Sequence, residues 1–185
     1  MTNKQLINTT LISLTLFVGG IFLAICFRQL SSSSNLSTQM AIESYDFIWK
    51  DSFIHILKNN LLIVSMNIFG FFLFGFPSII LLISNGYFLT TQLFLYVIDG
   101  VFPMESFLRH IVPYMLLELS GIIISGGIGL LGFINLKRLI KSENVQIFFN
   151  RNMLLASGIS VVLTIVAALT EATVLSFHEQ LFNLC

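Results

Sequence analysis

Charge is scarce in this chain of 185 residues: only 10% are Asp, Glu, Lys or Arg, against roughly 25% in soluble domains. Nine Lys and Arg balance nine Asp and Glu, so no global basic field exists to attract nucleic acid or acidic partners. Cysteine is nearly absent: Cys26 lies inside an apolar run and Cys185 is the last residue, which excludes a disulfide framework and a cysteine metal site. Histidine is equally thin, with His55, His110 and His178 spaced too irregularly for zinc. No Gly-rich segment is followed by Lys-Ser or Lys-Thr, so the chain lacks a P-loop and carries no means of its own to use ATP. Nor do Ser, Asp and His assemble into a nucleophile arrangement, and we expect neither enzyme activity nor a cofactor.

What fills the chain instead is apolar. Hydrophobic residues make up 56% and the mean hydropathy is +0.92, so most of the protein's solvent is lipid. The expected fold is all-α: a single polytopic membrane domain of about five transmembrane helices plus an interfacial helix. The first apolar run, Leu11 to Phe27, is about one bilayer crossing long. No A-x-A site precedes the following serine tract, and Ile25 stands before Cys26 where a lipoprotein signal needs a small residue, so the run reads as a retained helix over about 8–28. The next segment, 29–58, reads as an outer loop. Within it, Ile42, Tyr45, Trp49, Phe53 and Ile56 recur at helical spacing with Glu43, Asp46, Lys50 and Lys58 mainly on the other side, as in a helix lying in the headgroup layer or a small soluble helix packed on the outer end of the bundle.

From Leu61 to Ile98 about 38 residues pass without a charged side chain, too many for one crossing and enough for two. Gly70, Gly75 and Pro77 supply the break, because proline cannot donate to the helix ladder and disfavours helix in the residue before it. Helices over about 59–75 and 78–98 follow, joined by a tight turn. Two further spans cover about 110–136 and 152–177. Lys137, Arg138, Lys141 and Arg151 crowd the loop between them, which the positive-inside rule places in the cytoplasm. Counting crossings back from that loop puts the N-terminus in the cytoplasm and the C-terminus outside, in a bacterial cell membrane.

Two carboxylates interrupt the last two spans, and an ionisable group in lipid costs several kcal/mol unless it is paired, hydrated or protonated. Counted at 1.5 Å per residue from the cytoplasmic ends, Glu118 and Glu171 lie roughly 24 and 27 Å up their helices, at similar depth. Glu118 shares a stripe with Gly121, Ser125, Gly129 and Gly132. The last helix carries Ala156, Ser160, Thr164, Ala168 and Ala172 at four-residue spacing. Small residues in such register let backbones approach, so these two helices are expected to pack along their stripes. Asn67 adds a third polar group at comparable depth and Asn85 a fourth. Two carboxylates close together in low dielectric cannot both ionise cheaply. The cluster is therefore either a contact site for a proton, a cation or a peptide, or a structural lock hydrogen-bonded to Asn67, Thr164 or a backbone carbonyl.

Several stretches resemble a known family. His55-Ile56-Leu57-Lys58-Asn59-Asn60 is similar to a leucine-x-Asn-Asn motif at a helix start, and Asn85-Gly86 to an Asn-Gly within the next helix. Val112-Pro113-Tyr114-Met115-Leu116-Leu117-Glu118-Leu119, followed by Gly126-Gly127-Ile128-Gly129-Leu130, is similar to a Pro-His-Gly-x-x-Glu-Leu run with its glycine-rich continuation. Glu171 stands where a Glu recurs in the last helix. These features resemble the stage II sporulation protein M family of small bacterial membrane proteins. Tyr114-Met115 replaces the family's His-Gly, so no role of that histidine transfers. The resemblance implies one of two settings. One is a permease-like subunit that exports or matures a small hydrophobic peptide of the bacteriocin type with a separate ATPase. The other is a scaffold for peptidoglycan-remodelling enzymes in sporulation. Besides the lipid bilayer, the expected partners are that ATPase or other membrane subunits, or a second copy of the chain, with Lys137, Arg138, Lys141 and Arg151 as the docking surface. The same loop would equally serve only to set topology.

Overall fold

The computed structural model describes residues 3–31, 49–94, 105, 107–141 and 150–182. They form five α-helices: α1 (Asn3–Ser31), α2 (Trp49–Phe69), α3 (Phe76–Leu93), α4 (Val112–Ile140) and α5 (Arg151–Phe182). A single π-helical turn, Phe107–Ile111, leads into α4. Three stretches are long and apolar enough to cross a membrane, Lys4–Gln29, Val112–Ile140 and Arg151–Val174. The protein is an all-α polytopic membrane protein. Residues 39–48 of the expected interfacial helix lie outside the described residues, and from Trp49 the backbone is one helix through to Phe69.

Helix α4 packs against all four others. It has almost no amphipathic face because it is buried on several sides, and its glycines are placed where neighbouring backbones come closest. A Cβ on Gly126 would meet Ser13 Oγ at 2.7 Å, and one on Gly127 would meet Thr10 Oγ1 at 2.5 Å, so α1 lies directly on this stretch. Ser13 Oγ also donates to the Ile123 carbonyl at 2.8 Å. These contacts run α1 antiparallel to α4. Alongside α3, α1 runs parallel: Gly20 faces the Ile83 carbonyl, Gly86 faces the Phe17 carbonyl, and Arg28 stacks 4.3 Å from the Phe94 ring centre. On the other side of α4, Gly121 meets Ser160 and Thr164 of α5, while Met153 and Ala156 pack with Ile128 and Leu131, an antiparallel pair.

Helices α2 and α3 form a hairpin whose turn is specified by its own residues. Gly75 has φ 83° and Phe74 φ 54°, both left-handed, and Gly75 N–H donates back to the Gly70 carbonyl at 2.7 Å. Pro77 then opens α3 in its first turn, where its missing N–H costs nothing. The turn seats on α4, where Gly132 leaves room for the backbone of Phe71, Phe74 and Gly75. Its surface is apolar: Phe69, Phe72, Leu73 and Phe76 are exposed. Gly75→Ala should lower stability by about 1–2 kcal/mol, since a Cβ there is left-handed and meets the Phe133 ring at 2.6 Å. Gly158→Ala, with nothing within 4 Å of the added Cβ, should not lower the thermal midpoint in detergent.

Candidate intramembrane polar site

Two polar layers occupy the middle of the bundle. The lower one centres on Asn67, whose side chain is fully buried. Its Nδ2 donates to Ser125 Oγ at 3.2 Å and to the Ile122 carbonyl at 3.5 Å, while Ser125 Oγ donates to the same carbonyl at 2.9 Å. Ser78 Oγ of α3 donates to the Asn67 carbonyl at 3.0 Å. Three helices are thereby joined through one asparagine, and Gly129 is the residue that lets Ser78 and the Asn67 carbonyl come this close to α4. Asn67 Oδ1 has no hydrogen-bond partner among the described residues.

Above this layer, toward the end of the bundle where α4 begins, the arms of the hairpin face each other across a cavity of about 690 Å³. Helix α4 contributes Glu118 and α5 contributes Glu171. Helix α2 presents His55, Asn59 and Asn60 along one face, and α3 presents Ser84, Asn85 and Gln92 along another. Phe17 of α1, with Ile63, Phe88, Leu89, Met115 and Leu119, supplies apolar wall. Among the described residues no Lys or Arg lines the cavity. Glu118 and Glu171 have no hydrogen-bond or ion-pair partner among the described residues. Asn60, only 5% exposed, likewise has no partner there for its carboxamide. Asn85 Nδ2 donates to the Leu81 carbonyl at 2.7 Å, which leaves its oxygen available.

The residues singled out in the sequence are thus distributed as follows. Glu118, Glu171 and Asn85 line one cavity, whereas Asn67 lies beneath it. The expectation that Asn67 shares the glutamates' depth needs correcting, because its partners Ile122 and Ser125 lie four and seven residues beyond Glu118, roughly 6–10 Å deeper. The structural-lock alternative had Asn67, Thr164 or a backbone carbonyl bonding the glutamates, and the first two are engaged elsewhere. Asn67 bonds Ser125, and Thr164 Oγ1 donates to the Ser160 carbonyl at 2.9 Å. Ser160, Thr164 and Ala168 are buried, and Gly121 meets the first two. The rest of the α4 stripe turns elsewhere: Ser125 faces α2, and Gly129 and Gly132 face the hairpin rather than α5. The stripe splits because α4 has three neighbours along this edge.

Sequence reasoning missed Asn59, Asn60, His55, Ser84 and Gln92 as parts of the site. Spacing held the signal: His55 and Asn59 are four apart, Asn60 follows, and Asn85 and Gln92 are seven apart on α3, so each set shares a helix face. At the opposite end of the bundle, Lys137 and Arg138 occupy the last turn of α4, Lys141 follows exposed, and Arg151 is exposed at the start of α5. Lys4 of α1 is exposed at the same end. Residues 142–149 of the basic loop lie outside the described residues.

No curated protein and no solved structure matches the chain. A family model described as stage II sporulation protein M matches residues 8–174, which include every described residue that lines the cavity. With nearly the whole chain covered, the protein belongs to the stage II sporulation protein M family.

Proposed function

We propose that the protein is a non-catalytic membrane subunit, permease-like in character, that takes part in the export or maturation of a small peptide together with a separate ATPase. The observation that carries this reading is the cavity: two carboxylates and several amides face one another inside an apolar bundle. Intramembrane polar groups are expensive, and where they converge on a cavity they mark pathways and contact sites. The helices that surround it include the three apolar enough to span a bilayer. The charge rule orients the molecule. Lys4, Lys137, Arg138, Lys141 and Arg151 gather at one end, which faces the cytoplasm, and the cavity then lies in the outer half of the bilayer. The N-terminus is cytoplasmic and the C-terminus extracytoplasmic. Energy from ATP would come from the partner, docked on the basic end.

The family's description names sporulation, and we keep as a second reading a scaffold for peptidoglycan-remodelling enzymes in that setting. One experiment separates the two: purification of the complex from native membranes and identification of what travels with it. An ATPase is expected for the first reading, and cell-wall hydrolases without an ATPase would replace it by the second. Neutralising Lys137, Arg138, Lys141 and Arg151 together to Gln is expected to release the ATPase while the membrane-inserted chain persists. An ATPase retained in full by this variant would reduce the basic cluster to a topology signal.

A further inference from the structure

We infer that the cavity is a binding site for a short cationic-apolar peptide segment, held in extended form with one Lys or Arg side chain directed at Glu118 and Glu171. The inference rests on the reading above and names the chemistry of the peptide.

Three independent observations converge on it. The first is charge: among the described residues the lining holds two carboxylates and no Lys or Arg, so a cationic side chain entering it would meet two acids that no described Lys or Arg compensates. The second is the amide set. Asn60, 5% exposed, lines the cavity and has no partner among the described residues, while Asn59 and Gln92 stand on the same two walls. A carboxamide offers a donor pair and an acceptor, which matches the alternating N–H and C=O of a peptide backbone. A peptide running between α2 and α3 would give these amides backbone partners. The third is size and wall chemistry. About 690 Å³ falls within the range of specific ligand sites, and Phe17, Phe88, Met115 and Leu119 supply apolar surface for side chains flanking the cation.

A phospholipid with an ammonium headgroup shares the cation but fits less well. Its phosphate would be buried beside the ammonium, and among the described residues the lining has no Lys or Arg to receive it. The peptide has no such anion.

The test uses the full chain in nanodiscs of phosphatidylcholine, with three probes: N-acetyl-Leu-Lys-Leu-amide, its norleucine counterpart, and its Glu counterpart. Binding is read by calorimetry. The Lys probe is expected to bind at least tenfold more tightly than the norleucine probe, and the Glu probe not at all. Equal binding of all three, or none by the Lys probe, overturns the inference. The double variant Glu118→Gln, Glu171→Gln keeps the side-chain volumes and should abolish the tenfold preference. Because the probe series is run on the unmodified protein, misfolding of the variant would not protect the idea. Adding phosphatidylethanolamine to the nanodiscs should leave the Lys probe's affinity unchanged, and competition by it would assign the site to a lipid headgroup and overturn the peptide assignment. Partner capture from membranes is read separately. A chain that captures its ATPase but ignores the Lys probe loses the peptide inference alone, and one that binds the probe but captures no ATPase loses the subunit reading.

Discussion

Gly129→Val should fail to give a folded, monodisperse protein. A Cβ at this position would run into Ser78 Oγ and the Asn67 carbonyl, and would stand 3.0 Å from Ser78 Cβ. Two of these obstacles belong to backbone or to a short side chain that is itself hydrogen-bonded, so neither can swing aside. The cost is therefore the overpacking penalty plus the loss of the Ser78–Asn67 bond, together about 3 kcal/mol or more. Moving α3 away would also draw the hairpin turn off Gly132 and open the floor of the cavity. The measurement is recovery on size exclusion in detergent and the thermal midpoint of whatever is recovered. Gly158→Val, on the open face of α5, is the matched control and should behave like the parent. Equal recovery and equal midpoints for the two variants would mean that the hairpin does not seat on α4 as described.

Glu118→Lys is expected to remove the Lys probe's binding by roughly a hundredfold or more while leaving the bundle intact. The new ammonium would lie in the same cavity as Glu171, giving that carboxylate a partner it lacks among the described residues of the parent. It would also repel an incoming cation, a reversal that Glu118→Gln cannot produce. The graded order, with Gln weaker than the parent and Lys far weaker than Gln, is what distinguishes charge recognition from loss of shape. Circular dichroism and size exclusion check that the fold survives. A Lys variant that binds the probe as the parent does would place the ligand elsewhere.

The turn between α2 and α3 was legible because it is written in local chemistry: Gly70, Gly75 and Pro77 are the residues such a reversal demands, and the reversal falls where they stand. The shared cavity of Glu118 and Glu171 was legible for a different reason. Depth along a helix follows from residue count, and two residues on antiparallel neighbours at equal depth meet if their faces agree. The depth of Asn67 was misjudged by the same arithmetic, since its reference point was an outer end near Asn60, whereas α2 begins at Trp49. Treating 39–58 as an interfacial segment also removed His55 and Asn59 from consideration as cavity residues. Other features had no signal in one dimension. The crossing of Gly20 and Gly86, where each glycine faces the other helix's carbonyl, depends on which faces of α1 and α3 turn toward each other. The parting of the α4 stripe among three neighbours is likewise a tertiary fact, because small residues permit close approach without naming the partner.

The uncharged tip of the hairpin bears on how the protein meets bilayers of different thickness. Helices α1, α4 and α5 carry basic residues near one end that hold them to the water boundary, whereas Phe69, Phe72, Leu73 and Phe76 give the tip no such anchor. Swelling or thinning of the hydrocarbon layer would tilt or stretch the anchored rods, yet the tip would stay docked at Gly132. The hollow above it is thus measured from its glycine-rich neighbour and not from the lipid, and its geometry would be carried unaltered between thin and thick membranes.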